Sequence, residues 1–212
     1  MKKIIAIIMA AVLVTVSFAS CGGVKTPDKQ ETFDVTTKEK VNVQILLNDG
    51  RSMDLELYPK IAPITVQNFV DLATSGFYDG LTFHRVVSGF VVQGGDPNGD
   101  GTGGSGTKIK GEFSENGVEN TLSHTKGIIS MARQSSLTGE SEDEVDTLMD
   151  SATSQFFIVL NNSAKSSLDG KYAAFGKMTK GFDVLEQLGS VATDSNDKPI
   201  EEIIINSIRV VD

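Results

Sequence analysis

From Val41 onward, apolar and polar residues alternate with a period of two through much of the chain. "VNVQILLNDGRSMDLELY" reads as two strands folded back on each other at Asn48-Asp49-Gly50. Successive side chains of a strand face opposite ways, and an Asp-Gly pair supplies a tight hairpin turn. The period changes at "APITVQNFVDLATSG". There Val66, Phe69, Val70 and Ala73 share one helical face, Pro63 suits the first turn, and Gly76 suits the stop. "TFHRVVSGFVVQGGD" follows as strand, turn and strand, broken at Ser88-Gly89. "GIISMA", "QFFIVL" and "YAAFGKM" are further short apolar runs, and "EEIIINSIRVV" is a closing strand. "FDVLEQLG" is a short helix with Val184, Leu185 and Leu188 inward and Gly189 as its stop. Many short strands with two helices predict a mainly β, barrel-like fold with helical caps.

The first 40 residues follow another pattern. Lys2 and Lys3 precede an uncharged apolar run from Ile4 to Phe18. This is the charged and apolar order of an export signal, and the run is short for a membrane-spanning helix, which needs roughly 20 residues. The run ends in Phe18-Ala19-Ser20-Cys21-Gly22-Gly23. Small residues before the only Cys of the chain resemble the lipobox of bacterial lipoproteins, although Phe18 stands where Leu is usual. That resemblance implies a signal over residues 1–20, lipidation of Cys21, and an extracytoplasmic protein anchored to a bacterial membrane. A single Cys also rules out an internal disulfide. Residues 22–40 are polar and mixed in charge, and read as a flexible tether to a domain spanning 41–212.

Composition narrows the function classes. The chain has 212 residues, enough for one domain with a sizeable core. Its formal net charge of -9 argues against nucleic acid as a partner, because phosphate contacts need clustered Lys and Arg. With two His and one Cys, a zinc site or a Cys-His nucleophile is not expected. "DPNGDGTGGSGT" begins like a calcium loop, but its twelfth position is Thr107 rather than a bidentate Glu. Gly99-x-Gly101-x-x-Gly104 matches a dinucleotide fingerprint without the helix that must follow it.

Arg85, placed among β-branched and aromatic residues, needs a partner or a task, because a half-buried guanidinium is costly. Taken alone it would be a salt-bridged strand residue, and Phe90 and Phe157 would be core. His84 should face the opposite way from Arg85 and serve as a structural hydrogen-bonding residue, and His124 should likewise be structural.

The ordered set changes that reading. "FHRVVSGFVVQGGD", "GTGGSG", "GIISMA", "SQFFIVL" and "LDGKYAAFGKMTKGFDVLEQL" together resemble the cyclophilin family of peptidyl-prolyl cis-trans isomerases, over Val41 to Asp212. The resemblance implies a closed eight-stranded antiparallel barrel capped by two α-helices. It also implies isomerisation of X-Pro bonds in proline-containing polypeptides, here exported proteins, by a monomer without cofactor or metal. Arg85 matches the family's catalytic arginine, and Gln93 the glutamine that steadies it and holds the substrate carbonyl. Phe90, Val91, Phe157 and Leu168 map to the proline slot, and Ala132 to the neighbouring groove. Tyr172 stands where His is frequent, with a hydroxyl that can still donate.

Two departures stand out. Ser167 replaces an aromatic residue common in the family, leaving a more open and polar rim. Arg133 to Ser154 forms a longer, acidic excursion carrying Glu140, Glu142, Asp143, Glu144, Asp146 and Asp150. Its Ser141-x-x-Glu144 fits a capping box, with Val145, Leu148 and Met149 on one helical face. The alternative function is a non-catalytic client-binding module or surface lipoprotein, and retention of Arg85, Phe90, Gln93 and Phe157 speaks against it.

Overall fold

The computed structural model describes residues 33–134 and 148–211. The signal segment, Cys21 and residues 135–147 of the acidic excursion, with its capping box, lie outside the described residues. No helix among the described residues is long and apolar enough to cross a membrane.

The hairpin forms where the alternation places it. Strands β1 (Val41–Leu47) and β2 (Ser52–Leu57) pair antiparallel, with Val41 opposite Leu57 and Leu46 opposite Ser52. Gly50 closes the turn at φ +88°, a conformation that a Cβ disfavours. Each strand buries every second residue, as the sequence period requires. Helix α1 (Pro63–Thr74) buries Val66, Phe69, Val70 and Ala73, the face expected from their spacing, and Thr65 beside them.

The remaining strands are β3 (Arg85–Val87), β4 (Val91–Gly94), β5 (Ile128–Met131), β6 (Phe156–Val159), β7 (Ala174–Lys180) and β8 (Ile205–Val210). All neighbouring strands are antiparallel, in the order β3-β4-β6-β5-β7-β2-β1-β8. Strands β4, β5 and β6 carry little polar alternation because both of their faces are apolar. Val92, Phe156 and Ile158 enter the main core with Phe69, Tyr78 and Phe175. Val91, Phe157 and Val159 enter a smaller outer cluster with Leu168 and Ala164. The outer cluster carries the site described below.

Two features differ from the expected closed barrel with two helices. The eight strands form a half-barrel that stays open between β3 and β8. Chain segments without continuous strand pairing cross that gap instead. Phe83 N–H donates to Ile203 O at 2.9 Å, Ile205 N–H to Leu81 O at 2.8 Å, and Val86 N–H to Asp197 O at 2.8 Å. Edge backbone groups are thus satisfied without a ladder. The described residues also contain three α-helices. Besides α1 there are α2 (Lys165–Leu168) and α3 (Phe182–Leu188). One turn of helix with Leu168 as its only buried residue is too short for a periodic pattern to reveal. Helix α3 buries Val184, Leu185 and Leu188 as expected. Gly189 ends it at φ -68°, so its glycine is not needed for a left-handed turn. A Cβ there would lie 2.6 Å from Leu160 Cδ2, so close packing is the reason for the residue.

The structured region begins ahead of Val41. Val35 is fully buried, its N–H donates to Gln67 Oε1 on α1, and Gln67 Nε2 donates back to Phe33 O. Phe33 and Val35, within the sequence-defined tether, therefore lie against α1.

Helix α1 starts at Ala62, which offers no side-chain cap. Glu112 takes that role from 47 and 48 residues away. Its carboxylate, on a residue only 2% exposed, accepts from Ile64 N–H at 3.1 Å, Thr65 N–H at 2.8 Å and the Thr65 hydroxyl at 2.6 Å. An anion at a helix N-terminus satisfies open N–H groups and complements the helix dipole. Removing it leaves buried donors without partners. Glu112→Ala is expected to destabilise the domain by about 2–4 kcal/mol. Urea unfolding at an unchanged m value measures this, and a loss under about 0.5 kcal/mol would show that the cap is dispensable.

Candidate active site

The site is a row of residues across four adjacent strands. Arg85 on β3 lies opposite Gln93 on β4, Gln93 opposite Phe157 on β6, and Phe157 opposite Ser130 on β5. Directly opposed residues point to the same face of a sheet. Pairing register alone therefore sets a cation, an amide, an aromatic ring and a hydroxyl side by side on the outer face. His84 precedes Arg85 and is buried, as expected of the opposite face, but neither of its ring nitrogens has a hydrogen-bond partner among the described residues, so the hydrogen-bonding role expected of it is not observed.

Arg85 is held from two sides. Its Nη1 donates to Gln93 Oε1 at 3.4 Å and its Nη2 to Asp197 Oδ2 at 3.3 Å. The arginine side chain remains 40% exposed, so the ion pair orients more than it stabilises. Gln93 is fixed in turn, because its Nε2 donates to Gln155 Oε1 at 2.9 Å. Gln155 Nε2 donates to Gly101 O at 3.0 Å and Gly103 O at 2.8 Å. Two glutamine amides thus tie the arginine to the glycine-rich loop.

Beside the guanidinium lies a cleft of about 390 Å³. Phe90, Val91, Phe157 and Leu168 form its apolar part, and Gln93, Ala132, Ser167 and Tyr172 its edge. Every residue expected at the active site from the sequence lines this one cleft. Phe157 is held edge-on against Tyr172, with ring centroids 5.6 Å apart, and stacks on His124 at 6.1 Å.

Beneath Phe157, His124 Nδ1 lies 2.8 Å from Asp169 Oδ1, and His124 Nε2 lies 3.0 Å from Ser130 Oγ. The carboxylate can only accept, which places the ring proton on Nδ1 and lets Nε2 accept from the serine hydroxyl. Burial holds the His124 pKa below its usual value, against the opposing pull of Asp169. The spacing is that of a nucleophilic triad, but Ser130 has no exposed surface. A serine closed off from solvent cannot reach a substrate, so the three residues fix the floor of the cleft instead. His84 is likewise shifted down by burial, partly offset by the Asp96 carboxylate.

Three contributors escaped the sequence reading. Gln155 sits inside "SQFF", but its partners Gly101 and Gly103 are 54 and 52 residues away. Asp197 lies in a polar turn 112 residues from Arg85 and adopts φ +61°, which Asp tolerates better than most residues. Arg133 packs its guanidinium 5.0 Å from the Tyr172 ring centre and 5.3 Å from that of Phe113. The calcium-like start of the glycine-rich loop also has a structural explanation. Asp96 Oδ1 accepts from Asn98 N–H, and its Oδ2 accepts from the N–H groups of Asp100 and Gly101, so the carboxylate shapes the loop.

Comparison with known proteins agrees with this geometry. Residues 41–210 match the family model described as cyclophilin type peptidyl-prolyl cis-trans isomerase/CLD. Peptidyl-prolyl cis-trans isomerase B of Bacillus subtilis is 44% identical over 145 residues, covering 68% of this chain and 88% of the relative. A peptidyl-prolyl cis-trans isomerase of Arabidopsis thaliana is 42% identical over 159 residues, covering 74% of this chain and 87% of the relative. The crystal structure of a Cryptosporidium parvum cyclophilin type peptidyl-prolyl cis-trans isomerase superposes with a TM-score of 0.68 at 33% identity, covering 82% of this chain and 98% of that one. A second structure of that protein, in the presence of the dipeptide Ala-Pro, gives a TM-score of 0.67 at 34% identity over 81% of this chain and 99% of that one. With the Arg85 row, its apolar cleft and these matches in hand, the chain belongs to the cyclophilin family of peptidyl-prolyl cis-trans isomerases.

Proposed function

We propose that this isomerase acts on X-Pro bonds of proteins exported across a bacterial membrane, while a lipid on Cys21 holds it at the membrane surface. The observation behind the chemistry is the guanidinium of Arg85, clamped between Gln93 and Asp197 at the edge of an apolar cleft. The observation behind the location is the order Lys2-Lys3, apolar Ile4 to Phe18, then Ser20-Cys21.

Rotation about an X-Pro amide meets a barrier of roughly 20 kcal/mol, because the nitrogen lone pair is delocalised into the carbonyl. Uncatalysed exchange takes tens to hundreds of seconds. In the twisted transition state the lone pair is localised on a pyramidal nitrogen, which can accept a hydrogen bond. The planar ground state offers no such acceptor. A donor fixed near that nitrogen therefore binds the transition state more strongly than the substrate, which is the condition for catalysis. Phe90, Val91, Phe157 and Leu168 hold the proline ring. Gln93 steadies Arg85 and has its amide available to the substrate carbonyl, and Arg85 donates to the nitrogen. No bond is made or broken, so no nucleophile takes part.

Arg85→Ala is expected to lower kcat/KM by roughly 100- to 1,000-fold with the fold intact. An unchanged kcat/KM in a folded variant would reject the arginine mechanism. Gln155→Leu is expected to reduce kcat by about 3- to 10-fold, the equivalent of one lost positioning hydrogen bond. Wild-type kcat in that variant would show that Gln93 and Arg85 need no such buttress. For the anchor, mass spectrometry of the cell-derived protein should find an acylated Cys21 at the N-terminus. Stable anchoring takes at least two acyl chains, and Cys21→Ser should abolish the modification. An unmodified mature N-terminus at another residue would refute the lipid anchor.

A further inference from the structure

We infer that Asp197 is a positioning residue for isomerisation, kept in a strained left-handed turn because its carboxylate sets the plane of the Arg85 guanidinium; this rests on Arg85 as the donor to the prolyl nitrogen. Arg85 opens β3, the strand at one end of the sheet order. Its neighbour β4 places Gln93 on one side of it by register. No strand pairs with the other side of β3, so a partner there has to come from a turn.

The turn between Thr193 and Pro199 supplies it. Those two residues form an antiparallel bridge, Asp194 N–H donates to Lys198 O at 2.8 Å, and Asp197 N–H donates to Asp194 O at 3.2 Å. The Asp194 side chain closes the loop, since its Oδ1 accepts from Asn196 N–H at 2.8 Å and from Lys198 N–H at 3.0 Å. Ser195 and Asn196 are thus followed by a residue in the left-handed region, as in a three-residue hairpin loop. Glycine is the residue such a loop favours at that place. At every other left-handed position among the described residues the chain does carry glycine, and Asp197, at φ +61°, is the exception.

The turn itself does not depend on the Asp197 side chain. Asp194 holds the loop, and the tie to β3 is made by backbone, with Val86 N–H donating to Asp197 O at 2.8 Å. Among the described residues the Asp197 carboxylate bonds to Arg85 alone, Oδ2 accepting from Nη2 at 3.3 Å. Both partners are partly exposed, so the ion pair adds little stability to offset the backbone strain. Asp tolerates the left-handed region better than most residues, but glycine occupies it without a steric penalty. Strain of this kind persists where the side chain has a task.

The contact geometry defines that task. Gln93 Oε1 accepts from Arg85 Nη1 at 3.4 Å. A single contact at one terminal nitrogen leaves the planar group free to swing about it. A second acceptor at Nη2 removes that freedom and fixes the plane. Two of the five N–H donors of the arginine are then engaged, and the others remain for the substrate. A donor oriented before the nitrogen lone pair localises stabilises the transition state without reorganising during the reaction.

Substitutions at Asp197 separate positioning from a structural role, because the two rank the variants differently. Gly relieves the backbone and removes the carboxylate, Ala removes the carboxylate and keeps the strain, and Asn keeps a weaker acceptor in place. In thermal unfolding of the full-length protein in detergent, Asp197→Gly should melt within about 2 °C of wild type or above it, and Asp197→Ala roughly 2–4 °C below Asp197→Gly. The kcat of Asp197→Gly and Asp197→Ala should nevertheless fall alike, by roughly three- to tenfold, with KM within about twofold. Asp197→Asn should lie between them and wild type. In an Arg85→Ala background Asp197→Gly should lower kcat no further, since no guanidinium is left to orient. Wild-type kcat in Asp197→Gly, a kcat that follows stability across the three variants, or a full additional loss in the Arg85→Ala background would each overturn the positioning role. If Arg85→Ala is slow while Asp197→Gly matches wild type, Asp197 alone fails. Wild-type turnover by Arg85→Ala would overturn the arginine mechanism and the positioning role together.

Discussion

Catalytic geometry here depends on the register between β3, β4, β6 and β5. Arg85, Gln93, Phe157 and Ser130 belong to one cross-strand row, and no loop has to place any of them. Side chains alternate strictly along a strand, so a slip of one residue would send Gln93 or Phe157 into the core. The same slip would bring Val92 or Phe156 out of it. The apolar inner faces therefore lock the register with the full weight of core burial, and the polar outer face inherits that precision. Isomerisation suits such a site, since it asks for a donor at the right place and little else.

Loops supply the second layer of control. Gln155 reaches the carbonyls of the glycine-rich loop, Asp197 reaches back from the turn before β8, and Asp169 orders His124 under Phe157. Each contact links segments distant in sequence, so the strands and the loops around the cleft form one hydrogen-bonded frame. Arg133 extends the frame to the rim by stacking on Tyr172.

The chain displayed some of this in advance and concealed the rest for definable reasons. Helix α1 was readable because Pro63, Val66, Phe69, Val70 and Ala73 follow one helical face, and the β1–β2 hairpin because alternation and Asn48-Asp49-Gly50 agree. Arg85, Gln93 and the cleft residues were legible through family resemblance; periodicity alone would have assigned Phe90 and Phe157 to a core. The single turn of α2 fell below the length at which a pattern exists. The open edge between β3 and β8 was hidden because an edge and a pair have the same alternation. Asp197 and Gln155 were out of reach because their partners are set by the fold rather than by spacing. Gly189 read as a helix stop and is one, but the pressure on it comes from Leu160.

The cap on α1 and the pairing of β1 bear on the order in which the molecule can be assembled. Helix α1 lacks its N-terminal partner until Glu112 is available, and β1 lacks its second neighbour until β8, where Val43 meets Val210. A chain delivered from its N-terminus thus presents its first hairpin and first helix long before the groups that complete them. Contacts between distant segments carry the loop-closure entropy of everything between them, so they form late. The helix cap and the β1–β8 pairing are therefore contacts that only later segments of the domain can complete.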